Sequence, residues 1–384
     1  VRGRFPDHAI HGRHSGRLFV VTGQPRPAIS ALPAYKPGRS AAAAEADHGV
    51  VDAIKLASNE APFGPLPSVA EAISSGIASI NLYADHGAAA LRHDLAEYLG
   101  VDVTQVTVGA GSAGILQQLC LAYCNKGDEV AMCWPSFEAY PVFAMLVEAE
   151  QIRVPLRDET FDLDALAAAI TPATKLVFVT NPNNPTGTAV GTDEIETFLE
   201  CVPTTCLVVL DEAYSEFVTD ERVTDSTRLL TNHDNLIITR TFSKAHGLAG
   251  LRVGYAAGHP DVITMVDRTL VPFAVNELAQ RAARASIAAA DEMRERVSAI
   301  VAERTRVAAA LRERGWSVPD PQANFVWLPV GEVAVDLSIQ LEQLGVVTRA
   351  FPNVGIRVTV SDRAGNDRFL AALAECTITP RSLR

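Results

Sequence analysis

The chain has 384 residues, a formal net charge of −12, 48% hydrophobic and 20% charged residues, which places it among globular chains long enough for a large core and a smaller second one. The acidic balance, with no basic cluster interleaved with aromatics, argues against a nucleic-acid surface, and no apolar run has the length that spans a bilayer. Six cysteines without CxxC spacing read as buried free thiols of a cytoplasmic protein, with no metal site expected.

Residues 1–28 lack periodicity and are rich in Gly, Arg and His, so they read as a flexible arm. A polar turn holding Ser58 and Asn59 follows a short apolar run, and Ser68 with Glu71 predicts a capping box opening a helix that runs to about Ile80. Next comes Asn81-Leu82-Tyr83-Ala84-Asp85. Gln105–Val108 reads as a strand, and Gly109-Ala110-Gly111-Ser112-Ala113-Gly114 turns it into a helix near Ile115. Glycines allow close backbone approach, and a helix start offers unpaired N–H groups and a positive dipole end, a combination that suits phosphate.

Glu129–Cys133 reads as the next strand, followed by Trp134-Pro135-Ser136-Phe137-Glu138-Ala139-Tyr140. Lys175–Thr180 is apolar in the manner of a buried parallel strand and runs into Asn181-Pro182-Asn183-Asn184-Pro185-Thr186-Gly187. Cys206–Leu210 ends in Asp211-Glu212-Ala213-Tyr214, and a carboxylate at the end of a buried strand is costly unless a positive group meets it. Asn235–Arg240 leads to Thr241-Phe242-Ser243-Lys244. A lysine at a strand end, in a dry pocket or near other cations, can lose its proton and form a Schiff base. The alternation of strands and helices predicts a mainly parallel α/β sheet, with these candidates at the strand C-terminal ends where such sheets bind ligands.

Helical patterns dominate from about Pro260 to Arg314, with a long helix from Asp291. Ala323–Pro329, Val346–Arg349 and Gly355–Val360 read as strands of a smaller α+β domain and carry Asn324, Arg349 and Arg357.

Ser243-Lys244-Ala245-His246-Gly247-Leu248-Ala249-Gly250-Leu251-Arg252-Val253-Gly254-Tyr255 resembles the cofactor-lysine segment of the class I/II aminotransferases, pyridoxal-phosphate enzymes of fold type I. Within them it is most similar to the histidinol-phosphate and aromatic amino acid branch, and matching motifs run from Ser58 to Arg357. The resemblance implies that Lys244 holds pyridoxal phosphate and then acts as general base and acid. It implies that Asp211 keeps the pyridine nitrogen protonated, that Asn184 and Tyr214 bond the phenolic oxygen, and that Phe137 stacks on the ring. The phosphate would lie among Gly111, Ser112, Ala113, Thr241, Ser243 and Arg252, with Tyr83 reaching it from the other subunit of a homodimer. Arg357 would grip the substrate α-carboxylate, with Asn324 beside it and Asn59 at the mouth of the site. His246 stands where the family often has an aromatic, and Ala84 where it usually has proline. The implied division is an N-terminal segment 29–67 serving the small domain and dimer contacts, a large cofactor domain 68–285 and a small domain 286–384.

The expected reaction moves the amino group of an aromatic amino acid, phenylalanine first, to 2-oxoglutarate. The apolar Ala113-Gly114 pair stands where the histidinol-phosphate branch usually carries Asp-Glu. Histidinol-phosphate transamination is the alternative, with a decarboxylase or lyase on the same scaffold more remote. A cofactor-sensing domain would need a DNA-binding module, for which the segment before Leu56 has no room.

Overall fold

The computed structural model describes residues 23–32 and 38–380, so the arm expected over residues 1–28 lies mostly outside the described residues. After the short β1 (Ile54–Lys55) come β2 (Val106–Gly109), β3 (Glu129–Trp134), β4 (Glu150–Pro155), β5 (Thr174–Thr180), β6 (Leu207–Asp211), β7 (Leu236–Thr241) and β8 (Gly254–Gly258). The last seven form one sheet in the order β2-β8-β7-β6-β5-β3-β4. Only β8 runs antiparallel to its neighbours; every other pairing is parallel.

Both faces of this sheet are covered, which explains the unbroken apolar runs of its strands. Val177, Val179, Val208, Leu210 and Ile238 point into one core; Leu176, Phe178, Leu207, Val209 and Ile237, the alternate positions, point into the other. Strands β4 and β8 escape the sequence reading for opposite reasons. β4 is polar and half-exposed at the sheet edge. β8, Gly-Tyr-Ala-Ala-Gly, has few residues with strand propensity yet is fully buried because its small side chains admit close neighbours.

Two helix starts differ from expectation. The helix Pro67–Gly76 has Leu66 as its N-cap, with no side-chain cap bond, and is followed by a 3-10 turn, Ile77–Ser79. Proline suits the first helical position, so Ser68 falls inside the first turn and caps nothing. The helix Ser112–Tyr123 begins three residues before Ile115 because Gly111, at φ 74°, takes the N-cap in a conformation glycine adopts freely.

A second layer is built from β9 (Phe325–Leu328), β10 (Val346–Val347), β11 (Arg349–Phe351) and β12 (Gly355–Thr359). Its antiparallel sheet has the order β11-β12-β9, while β1 pairs in parallel with β10, so the N-terminal strand joins the C-terminal part of the chain. The helix Ala290–Glu313 packs against both parts. Its buried Arg304 donates to the carbonyls of Phe217 at 2.6 Å and Ala323 at 3.2 Å, tying the layers together.

All six cysteines are free, but Cys201, at the end of the helix Thr192–Cys201, is exposed rather than buried. Among the described residues no helix is long and apolar enough to cross a membrane, and no His/Cys/Asp/Glu cluster could hold a metal ion.

Candidate active site

The residues singled out from the sequence converge where the C-terminal ends of β2, β5, β6 and β7 face the β12 layer. Lys244, half-buried in the turn after β7, donates from Nζ to the Ser58 carbonyl at 3.1 Å and lies 5.8 Å from the centre of the Tyr214 ring. Burial, helped by the positive charge of Arg357, lowers its pKa to about 7. A large fraction is therefore unprotonated and nucleophilic near neutrality.

Asp211, the last residue of β6, is buried. It accepts from Tyr140 Oη at 2.7 Å on Oδ2 and from Thr239 Oγ1 at 3.2 Å on Oδ1. Burial raises its pKa to about 6, opposed by those hydroxyls and the Ala213 N–H, while Glu212 adds a like charge. Among the described residues every donor facing it is neutral, so a cationic partner would stabilise this buried carboxylate.

Tyr214 is buried, its hydroxyl accepting from Asn59 Nδ2 at 3.0 Å and its ring edge-on to Phe325 at 5.2 Å. Asn59 takes the left-handed conformation at φ 54°, which asparagine tolerates better than most residues. Its Oδ1 accepts from Thr359 Oγ1 at 3.1 Å, and its carbonyl accepts from Asn324 Nδ2 at 3.1 Å. The side chains of Asn59 and Asn324 are thus engaged in holding Tyr214 and one another. Asn324 Oδ1 is buried with no hydrogen-bond partner among the described residues.

The start of the helix Ser112–Tyr123 makes a cup with the turn after β7. Arg252, at φ 57°, donates from Nη1 to Ser243 Oγ at 3.2 Å and to the Ala249 carbonyl at 2.9 Å. The Ser243 N–H donates to Thr241 Oγ1 at 3.1 Å. A Cβ on Gly111 would lie 2.5 Å from Arg252 Nη2, and one on Gly254 would lie 2.3 Å from the Ser112 nitrogen. Gly254 is required by this approach to a backbone atom, and Gly111 by its positive φ. A helix N-terminus, a guanidinium and hydroxyls make a site for a doubly charged phosphate. Ala113 packs, half-buried, against the core beneath.

Arg357, on β12, donates to Asn184 Oδ1 and, at 2.7 Å, to the Ala57 carbonyl. Its guanidinium lies 5.5 Å from the Phe325 ring centre and 5.8 Å from that of Phe351. Phe137 is half-buried, edge-on to Tyr140 at 5.4 Å. Tyr83 lies outside the group: it is 83% exposed and stacks on Phe273 at 4.4 Å. Arg349 reaches Glu138 at 2.7 Å, and His246 is buried with Nδ1 2.7 Å from Ser286 Oγ.

Sequence reasoning missed Tyr140 and Thr239. Tyr140 lies three residues beyond Phe137, in the first turn of the helix Ala139–Leu146, and its N–H donates to the Phe137 carbonyl at 3.1 Å. Thr239 is paired in register with Asp211, which only the order of the strands reveals.

The family model for aminotransferase class I and II matches residues 51–373. The chain belongs to the class I and II aminotransferases. Among related aminotransferases, an aromatic amino acid aminotransferase of Thermobifida fusca is 51% identical over 345 residues, spanning 90% of this chain and 95% of that protein. One of Mycobacterium tuberculosis is 47% identical over 352 residues, 91% of this chain and 97% of that one. In structure, histidinol-phosphate aminotransferase from Sinorhizobium meliloti, solved in complex with pyridoxal-5'-phosphate, superposes with a TM-score of 0.83 at 29% identity, covering 94% of this chain and 97% of that one.

Proposed function

We propose that this aminotransferase transfers the amino group of an aromatic L-amino acid, phenylalanine preferred, to 2-oxoglutarate, giving an aryl 2-oxo acid and L-glutamate. Pyridoxal phosphate is its cofactor, and when bound it supplies an electron sink that stabilises negative charge developing at the substrate α-carbon. The chain's residues fit that group: the glycine-lined cup for a phosphate, the buried carboxylate met by neutral donors for a protonated ring nitrogen, and a lysine with a lowered pKa for an aldehyde.

Lys244 Nζ would hold the cofactor's aldehyde and, as a free amine, would accept and return the proton of the substrate α-carbon. Asp211 holds the ring nitrogen protonated. Tyr214 Oη and Asn184 Nδ2 would donate to the phenolic oxygen, Phe137 would stack on the ring, and Gly111, Ser112, Ala113, Thr241, Ser243 and Arg252 would hold the phosphate. Arg357 pairs with the substrate α-carboxylate; Asn59 and Asn324 act on the same region through Tyr214 and each other.

Aromatic preference is supported by relatives about 50% identical over 90% of the chain that bear that name. We also assign a homodimer. Ile77, Ile80, Leu82, Tyr83, Val271 and Phe273 are exposed, an apolar surface that a second copy would cover, leaving Tyr83 to reach the neighbouring phosphate. The pairing of β1 with β10 supports assigning residues 29–67 with 286–384 to a small domain and 68–285 to the large one. Six cysteines without a disulfide accord with a cytoplasmic location.

The test is steady-state turnover of phenylalanine with 2-oxoglutarate, combined with borohydride reduction and peptide mapping. Glutamate formation with the cofactor fixed on the Lys244 peptide supports the reading. A cofactor fixed on another lysine, or binding without turnover, contradicts it.

A further inference from the structure

Tyr140 is wholly buried in the helix Ala139–Leu146. Its ring stacks on Phe178 with centroids 4.3 Å apart and planes 3° from parallel, and Phe137 meets it edge-on. Packing therefore sets where the hydroxyl lies. That hydroxyl is 2.7 Å from Asp211 Oδ2 and 2.7 Å from Thr180 Oγ1. For filling space alone a phenylalanine would serve as well, without a buried hydroxyl to satisfy.

The proton directions follow from donor counting. An ionised carboxylate only accepts, so Tyr140 Oη gives its proton to Asp211. At the far end of the chain of hydroxyls, Ser136 Oγ donates to Asn183 Oδ1 at 2.9 Å. The Asn183 amide is oriented by its donations to the Pro135 carbonyl and Thr186 Oγ1. Thr180 Oγ1, 3.0 Å from Ser136 Oγ, lies between and has one proton for two acceptors. The row thus ends on Asp211 as a donor and brings it no charge. With Thr239 Oγ1 also donating and the Ala213 N–H favouring the charged form, the roughly four lone-pair sites of a carboxylate are largely but not wholly engaged.

We propose that Tyr140 is a positioning residue for Asp211: its phenol holds Oδ2, keeping the carboxylate ionised in one orientation with acceptor capacity left for the cofactor's ring nitrogen. This rests on the reading of Asp211 given above.

Tyr140→Phe preserves the ring contacts and removes the donor. In the apoenzyme, the infrared band of the protonated Asp211 carboxyl, identified by its loss in Asp211→Asn, is expected to persist to a pH about one unit higher in Tyr140→Phe, the shift that follows from losing one hydrogen bond to the charged form. Site-specific 3-fluorotyrosine at position 140, a stronger donor of the same shape, is expected to move the band to lower pH, and this arm stands even if the phenylalanine variant folds poorly. In the holoenzyme, kcat is expected to fall about tenfold with KM for 2-oxoglutarate within about twofold. Reconstitution with an analogue carrying carbon in place of the ring nitrogen is expected to abolish the difference from wild type.

A Tyr140→Phe enzyme matching wild type in band and kcat, while Asp211→Asn is impaired, overturns this inference alone. Equal impairment of Tyr140→Phe with both cofactors, which indicates general damage, also overturns it. An Asp211→Asn enzyme as active as wild type overturns the underlying reading of Asp211.

Discussion

Arg357 donates to the side-chain oxygen of Asn184 across a sequence separation of 173 residues, joining β12 of the smaller sheet to the loop that ends β5. The bond commits Asn184 Oδ1 to the arginine and so directs its Nδ2 elsewhere, which is what the proposed contact with the phenolic oxygen requires. Arg357→Ala is expected to weaken amino-acid and 2-oxo-acid substrates alike by roughly 10- to 100-fold, the worth of a charge-assisted bond, with Arg357→Lys recovering only part. Steady-state KM and half-reaction constants check this; unchanged values for every α-amino acid would remove Arg357 from the site.

Lys244 gives a pH dependence of definite sign. Its pKa, lowered to about 7 chiefly by burial, means that the protonated amine predominates below that pH and the nucleophilic free base above it. The rate at which apoenzyme captures pyridoxal phosphate covalently should rise through pH 7 and level off by about pH 8.5. A midpoint near the ordinary lysine value, or a flat profile, contradicts the dry environment assigned to this amine.

Asp211 predicts a stability effect of opposite sense. Its folded pKa of about 6 lies above the reference value of 3.8, so in the apoenzyme its contribution is fully present below about pH 4 and is lost as pH rises through about 6. Asp211→Asn removes the buried charge while keeping the shape. The apo variant should be more stable than wild-type apoenzyme at pH 8, by on the order of 3 kcal/mol, and the gap should close by pH 4. Denaturant unfolding at the two pH values reads this directly.

Much of this arrangement was legible in the chain. Asp211, Asn184 and Lys244 stand at the ends of apolar runs or inside short polar strings, where burial makes a polar residue conspicuous. The contacts of Tyr140 and Thr239 with Asp211 were not, because they depend on which strands are neighbours and on a helix returning across the sheet. β8 was hidden by its glycines and alanines, of which Gly254 lets the Ser112 backbone approach. The start of the helix at Pro67 was misread because a capping pair of the right spacing competed with a proline one residue earlier, and the proline decided it.

Gly254→Ala tests the cup at its tightest point. The added Cβ would fall 2.3 Å from the Ser112 nitrogen, a backbone atom that cannot move without displacing the helix start. The expected results are at least tenfold weaker affinity for pyridoxal phosphate and a loss of about 1–3 kcal/mol of stability. Gly250, where an added methyl would meet no atom within 4 Å, serves as the control, and Gly250→Ala should leave affinity unchanged.

The most direct measurement of donor choice is a rapid-mixing half-reaction: holoenzyme with phenylalanine, tyrosine or histidinol phosphate, following loss of the lysine-bound cofactor's absorbance. Fast conversion by phenylalanine and tyrosine with little by histidinol phosphate is the predicted result. Faster conversion by histidinol phosphate would contradict the aromatic assignment while leaving the roles of Lys244, Asp211 and Arg357 intact.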